Sequence, residues 1–503
     1  MSEQTAYAEL ERTFARVSVL EGAAGILGWD AQTLMPLGAA DGRAEQLAAL
    51  RGLAHEALTD TRTADLLDAA EAEAAGPDAP LDFWRAANLR EMRRAYAHAA
   101  AVPGDLVVAS SKATTRAEMT WREARRTSDF QLLLPDLGEV LHLQRAVGEA
   151  MGAALGLPVY DALLDRFDPG LRRDFVDPLF AVLRRELPGL IAEAVANQAR
   201  LGAPLAVTGG FPVAAQRALG ETLMRAAGFD FDRGRLDVSL HPFCGGATND
   251  VRITTRYDTG DFTQALMGVM HETGHALYEQ GRPAAWLSQP VGLARGMTLH
   301  ESQSLLVEMQ ACRSREFLAY LSPRLTEAFG RDDPAFAPDN LHRLYTRVAP
   351  GFIRVDADEL TYPAHILLRY DLETAMIAGD LPLAELPGAF NAGMRALLGL
   401  TVTDDAQGCL QDIHWPSGGW GYFPTYTLGA IAAAQLFTSA CTAEPEIRPA
   451  LSRGEFAPLV GWLRTNVHER GSVESNDAII ARATGAPLGL EAFRAHLRAR
   501  YLT

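Results

Sequence analysis

Five consecutive residues, His271-Glu272-Thr273-Gly274-His275, spell H-E-x-x-H. On a helix, residues four apart share one face, so both imidazoles can reach a single ion. Glu272 lies a fraction of a turn away, an offset that suits a carboxylate taking a proton from a water at the metal. The chemistry implied is metal-assisted hydrolysis, which needs three protein ligands and one open position. The third ligand must come from another segment. His300 and Glu301 stand early in the next predicted helix. His300 is the rival, but a His2Glu set is usual where no third histidine closely follows the motif, and none occurs between His275 and His300.

The motif sits within the run FTQALMGVMHETGHALYEQ, with Asp261 as a predicted N-cap and Gly281 and Pro283 as stop signals. Its neighbours Ala265, Leu266, Val269, Met270 and Leu277 are apolar, so the helix is expected to be buried, where histidines need a partner or a metal. The segment 296–318 reads as a single returning helix. Upstream, 235–257 alternates branched and polar residues around glycines, as a small hairpin would. Amphipathic periodicity predicts helices over 6–25, 42–67, 81–101, 115–125, 131–154 and 178–200, with breaks at Pro103, Pro135 and Pro158. The rest returns to helices.

The expected fold is therefore all-α, with a minor β-hairpin or small sheet near the metal-site helix. Two lobes would flank a long groove with that helix at its floor. A single domain over 1–503 is expected: helices over 1–230, metal site and groove over 231–430, and closing helices over 431–503.

A chain of 503 residues with 48% hydrophobic and 22% charged residues has the composition of a globular protein. Its net charge of −17 argues against a nucleic-acid partner, which clustered cations would have to attract. No run approaches about 18 apolar residues, and the start MSEQTAYAELERTF lacks the basic and apolar parts of a secretion signal. No membrane partner and a cytoplasmic location are the expectations. Cys244, Cys312, Cys409 and Cys441 are far apart, without C-x-x-C spacing, which points to reduced structural thiols.

Beyond the metal motif, the chain carries HPF (241–243), DVRITT (250–255), HESQS (300–304), IRVDADELTYPAHI (353–366) and GCLQDIHW (408–415). WDAQTLMP (29–36), ATGAPL (483–488) and FRAHLRARY (493–501) complete the set. In this order the motifs resemble the carboxypeptidase Taq family of metallocarboxypeptidases over almost the whole chain. The resemblance implies removal of single residues from peptides with a free C-terminus, with broad specificity, by a homodimeric, mainly helical enzyme. It implies zinc, or cobalt in some members, at His271, His275 and Glu301.

Such an enzyme must recognise a terminal carboxylate, and arginine's planar donors can hold both oxygens. Arg354 is the first choice and Arg252 the second; pairing of Arg354 with Asp356 or Asp358 is the competing structural role. An oxyanion also needs a donor beside the metal. The Gly-rich aromatic segment 418–426 could be a mobile loop bringing Tyr422 or Tyr426 there. His414 and His241 are further polar candidates, Gln411 and Asp412 could line the groove, and the segment holding Glu359 and His365 reads as groove wall, bent at Pro363. H-E-x-x-H itself leaves an endopeptidase or dipeptidase open, and a helical scaffold without catalysis is a third reading.

Overall fold

The computed structural model describes residues 5–76 and 81–502. The first four residues of the N-terminal segment and both ends of the 1–503 span lie outside them. The chain opens with α1 (Ala6–Thr33), whose first turn is capped by the Thr5 hydroxyl accepting from the Ala8 N–H. It outruns the predicted end at 25 because apolar positions continue to Trp29, which is buried. The single helix expected over 42–67 is two, α2 (Ala40–Thr59) and α3 (Thr61–Ala75). Asp60 divides them, its carboxylate accepting from Arg62 N–H at the start of α3.

Next come α4 (Phe83–Ala101), α5 (Gly104–Thr127), α6 (Phe130–Leu155), α7 (Val159–Asp165), α8 (Arg173–Leu201) and α9 (Val213–Ala227). Pro103 and Pro158 fall between helices as expected, but Pro135 lies inside α6. Near a helix start, a proline removes the bond to one carbonyl, here that of exposed Gln131, and the helix continues.

The expected hairpin is one part of a three-stranded sheet of β1 (Gly234–Val238), β2 (Cys244–Ala247) and β3 (Asp250–Thr255), in the order β1-β3-β2. β2 and β3 pair antiparallel, whereas β1 runs parallel to β3 with Leu236 opposite Ile253. Leu236, Val251 and Ile253 are buried with Met224 of α9 and with Val269 and Ala276 of α10 (Thr263–Gly281). The sheet thus forms a support behind the metal-motif helix. Asp261 accepts from the Thr263 N–H at the start of α10, and the helix ends at Gly281 as predicted.

The predicted helix over 296–318 is broken. α11 (Gly296–Leu305) widens into a π-helical segment, Leu306–Cys312, before α12 (Arg315–Phe329) begins at the Ser314 cap. Then follow α13 (Pro338–Tyr345), α14 (Tyr362–Ala378), α15 (Leu386–Leu398), α16 (Pro424–Ala443), α17 (Ile447–Leu451), α18 (Ala457–Asn466), α19 (Asn476–Thr484) and α20 (Leu490–Tyr501). Pro363 occupies the first turn of α14, so it starts a helix where a bend was expected. One large apolar core runs from α5 to α20, and Leu10, Phe14, Leu67, Leu89 and Met92 form a separate core for α1, α3 and α4.

Candidate active site

Two helices cross to build the centre. Gly274 of α10 faces α11 so closely that a Cβ there would stand 2.4 Å from the Gln303 carbonyl and 2.5 Å from Ser304 Cα. From the other side, a Cβ on Gly429 of α16 would stand 2.8 Å from Glu301 Cβ. These missing side chains allow backbones to approach and press Glu301 toward the histidines. The ligand-capable atoms of His271, His275 and Glu301 all lie within 4.8 Å of one another. His275 Nε2 stands 3.5 Å from Glu301 Oε2.

Each imidazole is held through its other nitrogen. His271 Nδ1 lies 2.9 Å from Glu308 Oε2, and Glu308 is also paired with Arg313. His275 Nδ1 lies 2.6 Å from His300 Nδ1, while His300 Nε2 lies 2.9 Å from Glu279 Oε1. With His300 donating Nε2–H to Glu279, its Nδ1 accepts from His275, and the Nε2 lone pairs of both motif histidines are left free for a metal shared with Glu301. His300, the rival candidate, instead hydrogen-bonds His275 from behind. Glu308 reaches His271 from the π-helical segment, where the extra residue per turn re-aims side chains.

Glu272 is buried, and that burial pushes its carboxyl up to about 7, with Glu301 and Glu308 adding to the shift. Burial lowers His271, yet Glu308, Glu301 and Glu272 together drive it up to about 10. Three carboxylates around two imidazoles make a site of surplus negative charge, and two nitrogens with one oxygen are a donor set that fits a divalent metal.

A second cluster adjoins it. The Glu301 charge helps raise the phenols of Tyr362, Tyr422 and Tyr426, whose largest cause is burial. Tyr422 and Tyr426 stand 5.1 Å apart, ring to ring, and the Arg354 guanidinium lies 5.1 Å from the Tyr426 ring. His414 Nε2 lies 3.2 Å from the Tyr426 hydroxyl, and burial followed by the Arg354 charge pushes its imidazole down to about 4.

The chain is matched over residues 9–501 by the family model described as carboxypeptidase Taq (M32) metallopeptidase. It belongs to that family. Thermostable carboxypeptidase 1 of Thermus thermophilus is 37% identical over 100% of this chain and 99% of its own. Carboxypeptidase 1 of Bacillus subtilis is 34% identical over 97% and 96%. Among solved structures, Trypanosoma cruzi metallocarboxypeptidase 1 superposes with a TM-score of 0.96 at 40% identity, covering 99% of both chains. An M32 carboxypeptidase from Deinococcus radiodurans R1 gives 0.93 at 35%, over 99% and 98%. The protein is a metallocarboxypeptidase, a peptide hydrolase.

In this metallocarboxypeptidase Arg354 is buried and pairs with Asp412, neither Asp356 nor Asp358: Nε and Nη2 lie 2.9 and 2.8 Å from Asp412 Oδ1, and Nη1 donates to the Tyr362 hydroxyl. Asp412 also holds Arg369, so one carboxylate fixes two guanidiniums. Gln411 is a brace: its Oε1 accepts from Arg354 N–H and its Nε2 donates to the carbonyls of Phe352, Gln407 and Gly408. Arg252 forks onto Asp250 at 2.8 and 2.6 Å and stacks over Trp29, with no contact to the metal ligands. His241 is exposed in the turn before β2.

The aromatic segment 418–426 departs from the mobile loop expected. Trp420 and Phe423 are fully buried, and Glu373 accepts from Gly421 N–H, Trp415 Nε1–H and the Tyr160 hydroxyl. Tyr426 belongs to the first turn of α16. Glu359 is not groove wall either: it is buried against His496, Arg500 and Tyr501 of α20, and His365 is buried as well. Sequence reasoning missed Glu279 and Glu308. The first stands four residues after His275 and the second seven after Glu301, spacings that place each one or two turns along the ligand's own face.

Proposed function

We propose that His271, His275 and Glu301 hold one zinc ion per chain and that Glu272 is the general base for removal of C-terminal residues from peptides. The observation that carries this reading is the convergence of two imidazoles, each tied at Nδ1, upon Glu301, with the Glu272 carboxyl in the next position of α10. Cobalt would suit the same nitrogen and oxygen donors. When bound, the ion supplies Lewis acidity toward the scissile carbonyl and acidifies the attacking water. Glu272 takes the proton of that water and returns it to the departing amine. Burial serves this role by lifting its carboxyl toward neutrality, so that accepting and releasing a proton are both easy.

Tyr422 and Tyr426 keep their phenolic protons, because burial raises both, and either can donate to the oxyanion. Arg354 has given donors to Asp412 and Tyr362, which leaves two of its five for a substrate carboxylate. His414 is neutral and positions Tyr426. Arg252, His241 and Gln411 shape this region at most from behind. The substrate is a peptide with a free C-terminus and the working form a homodimer, both resting on family resemblance, and the proposed location is cytoplasmic.

Chelation should abolish release of amino acids from a test peptide and lower Tm, and zinc should restore both, since an ion bound only by the folded triad stabilises by mass action. Amidating the peptide's C-terminus should stop cleavage. Full activity after chelation would sink the metal assignment, and equal cleavage of the amidated peptide would sink recognition of the carboxylate.

A further inference from the structure

A second polar cavity, of about 250 Å³, opens between α4, the turn that follows α7 and the residue before α11. Its lining is rich in arginine: Arg90 and Arg94 from α4, Arg172 from the turn, and Arg295. Two carboxylates face them. Asp165 is buried and accepts from Arg94 at 2.9 Å and Arg172 at 2.7 Å, with His98 Nε2 at 2.9 Å. Glu91 is buried and receives Arg295 at 2.8 Å and Arg90 at 3.2 Å. Four guanidiniums face these two carboxylates, with Arg90 reaching out toward solvent and the neighbouring Asp168 carboxyl acting as a third acidic group against Arg295, so a positive excess remains but is smaller than two full charges.

The donors are also unspent. Arg295 is 7% exposed, yet its Nε–H has no hydrogen-bond partner. Arg94 and Arg172 each reach Asp165 through one terminal nitrogen, so the remaining N–H groups of both forks are available. A buried donor without an acceptor is costly to the fold, and nothing in the metal centre uses these residues. The walls are set by rigid elements, since Asp165 Oδ1 also accepts from Gly170 N–H and Arg90 reaches the carbonyls of Ser472 and Val473.

We propose that this cavity is a binding site for a phosphate group. The positive excess and the unspent donors ask for an oxyanion, and a phosphate carries about −1.5 to −2 near neutral pH with oxygens spaced for guanidinium forks. The cavity is smaller than the roughly 300–1,000 Å³ that encloses drug-sized ligands, which suits inorganic phosphate or the phosphate end of a monoester. Such a ligand would bridge α4, the 165–172 turn and the start of the helix that carries Glu301.

The test is calorimetric titration of the holoenzyme with sodium phosphate at constant ionic strength, with a parallel titration by AMP as a monoester. One phosphate per chain should bind, still bind after chelation of the metal, and raise Tm by roughly 3 °C at a hundredfold excess over Kd. The double variant Arg94→Gln/Arg172→Gln should weaken binding at least about tenfold, and Arg90→Gln, nearer solvent, should weaken it less; Arg354→Gln should leave it unchanged. If AMP binds as tightly, the source is any phosphate end; if only inorganic phosphate binds, it is the free ion. Unchanged affinity in both cavity variants would overturn the proposal. So would binding that vanishes on chelation or in Arg354→Gln, or AMP binding without phosphate binding.

Discussion

Side-chain placement decides chemistry here through second nitrogens. A histidine offers one lone pair to a metal only when its other nitrogen is occupied as a donor, and Glu308 and the His300–Glu279 pair do this for His271 and His275. Glu272, adjacent in sequence to His271, has no such partner and is free to move protons. Glu272→Gln preserves size and removes the base, so kcat should fall by about 10²–10⁴-fold. Metal content measured on the same preparation should remain one per chain. A variant with near-normal kcat, or one that loses the metal together with activity, would refute the assignment.

Among the elements, two contacts do most to hold the site in shape. The first is the crossing of α10 and α11 at Gly274, where no Cβ can be accommodated without moving backbone. Gly274→Ala should destabilise the fold by about 1–3 kcal/mol or more, read from denaturant midpoints, and should reduce metal affinity by separating His275 from Glu301. The second is the Glu373 clamp. Its carboxylate receives three donors from Tyr160, Trp415 and Gly421, and so pins the segment that carries His414, Tyr422 and Tyr426. Glu373→Gln keeps the shape but turns one amide N–H₂ toward a donor, at a cost of about 1–3 kcal/mol. Thermal melts should show that loss together with a fall in kcat/KM, and an unchanged Tm would mean that the clamp does not hold the segment.

Over the whole molecule, buried titratable groups set the response to acid. Burial would raise Asp165, Glu359 and Asp412, but their arginine and histidine neighbours outweigh it and hold all three well below the usual carboxylate range. Unfolding therefore takes up protons near pH 4, and the stability these groups contribute above that pH is lost as it falls. Burial pushes His365 and His468 down to about 3 and His342 and His414 to about 4, so their unfolded forms gain protons below about 6.5. Asp168 and Glu373 oppose this: burial raises both to about 7, so they are protonated in the fold and favour it as pH drops toward 4. Four imidazoles outweigh two carboxyls between about pH 4.5 and 6.5, and below about 4 only loss remains. Tm should fall gently across the first interval and drop steeply in the second; a Tm held constant down to pH 3 would contradict this balance.

What the sequence determined by itself was local and periodic. The spacing of His271 and His275 implies one helix face, caps and prolines mark most helix ends, and ordered motifs along the chain name the family. The need for a third donor pointed to the His300–Glu301 pair, and the usual His2Glu pattern favoured Glu301 over its rival. Tertiary structure decided what depends on neighbours far away in the chain. Arg354 spends two of its five donors on Asp412, 58 residues further on, and no local pattern reveals that pairing. Glu359 is consumed by α20, and Gln411 by the backbone it braces. The parallel β1–β3 pair and the π-helical turn that delivers Glu308 likewise arise from packing, since alternation and helical period constrain a segment's own geometry but not the partner it meets.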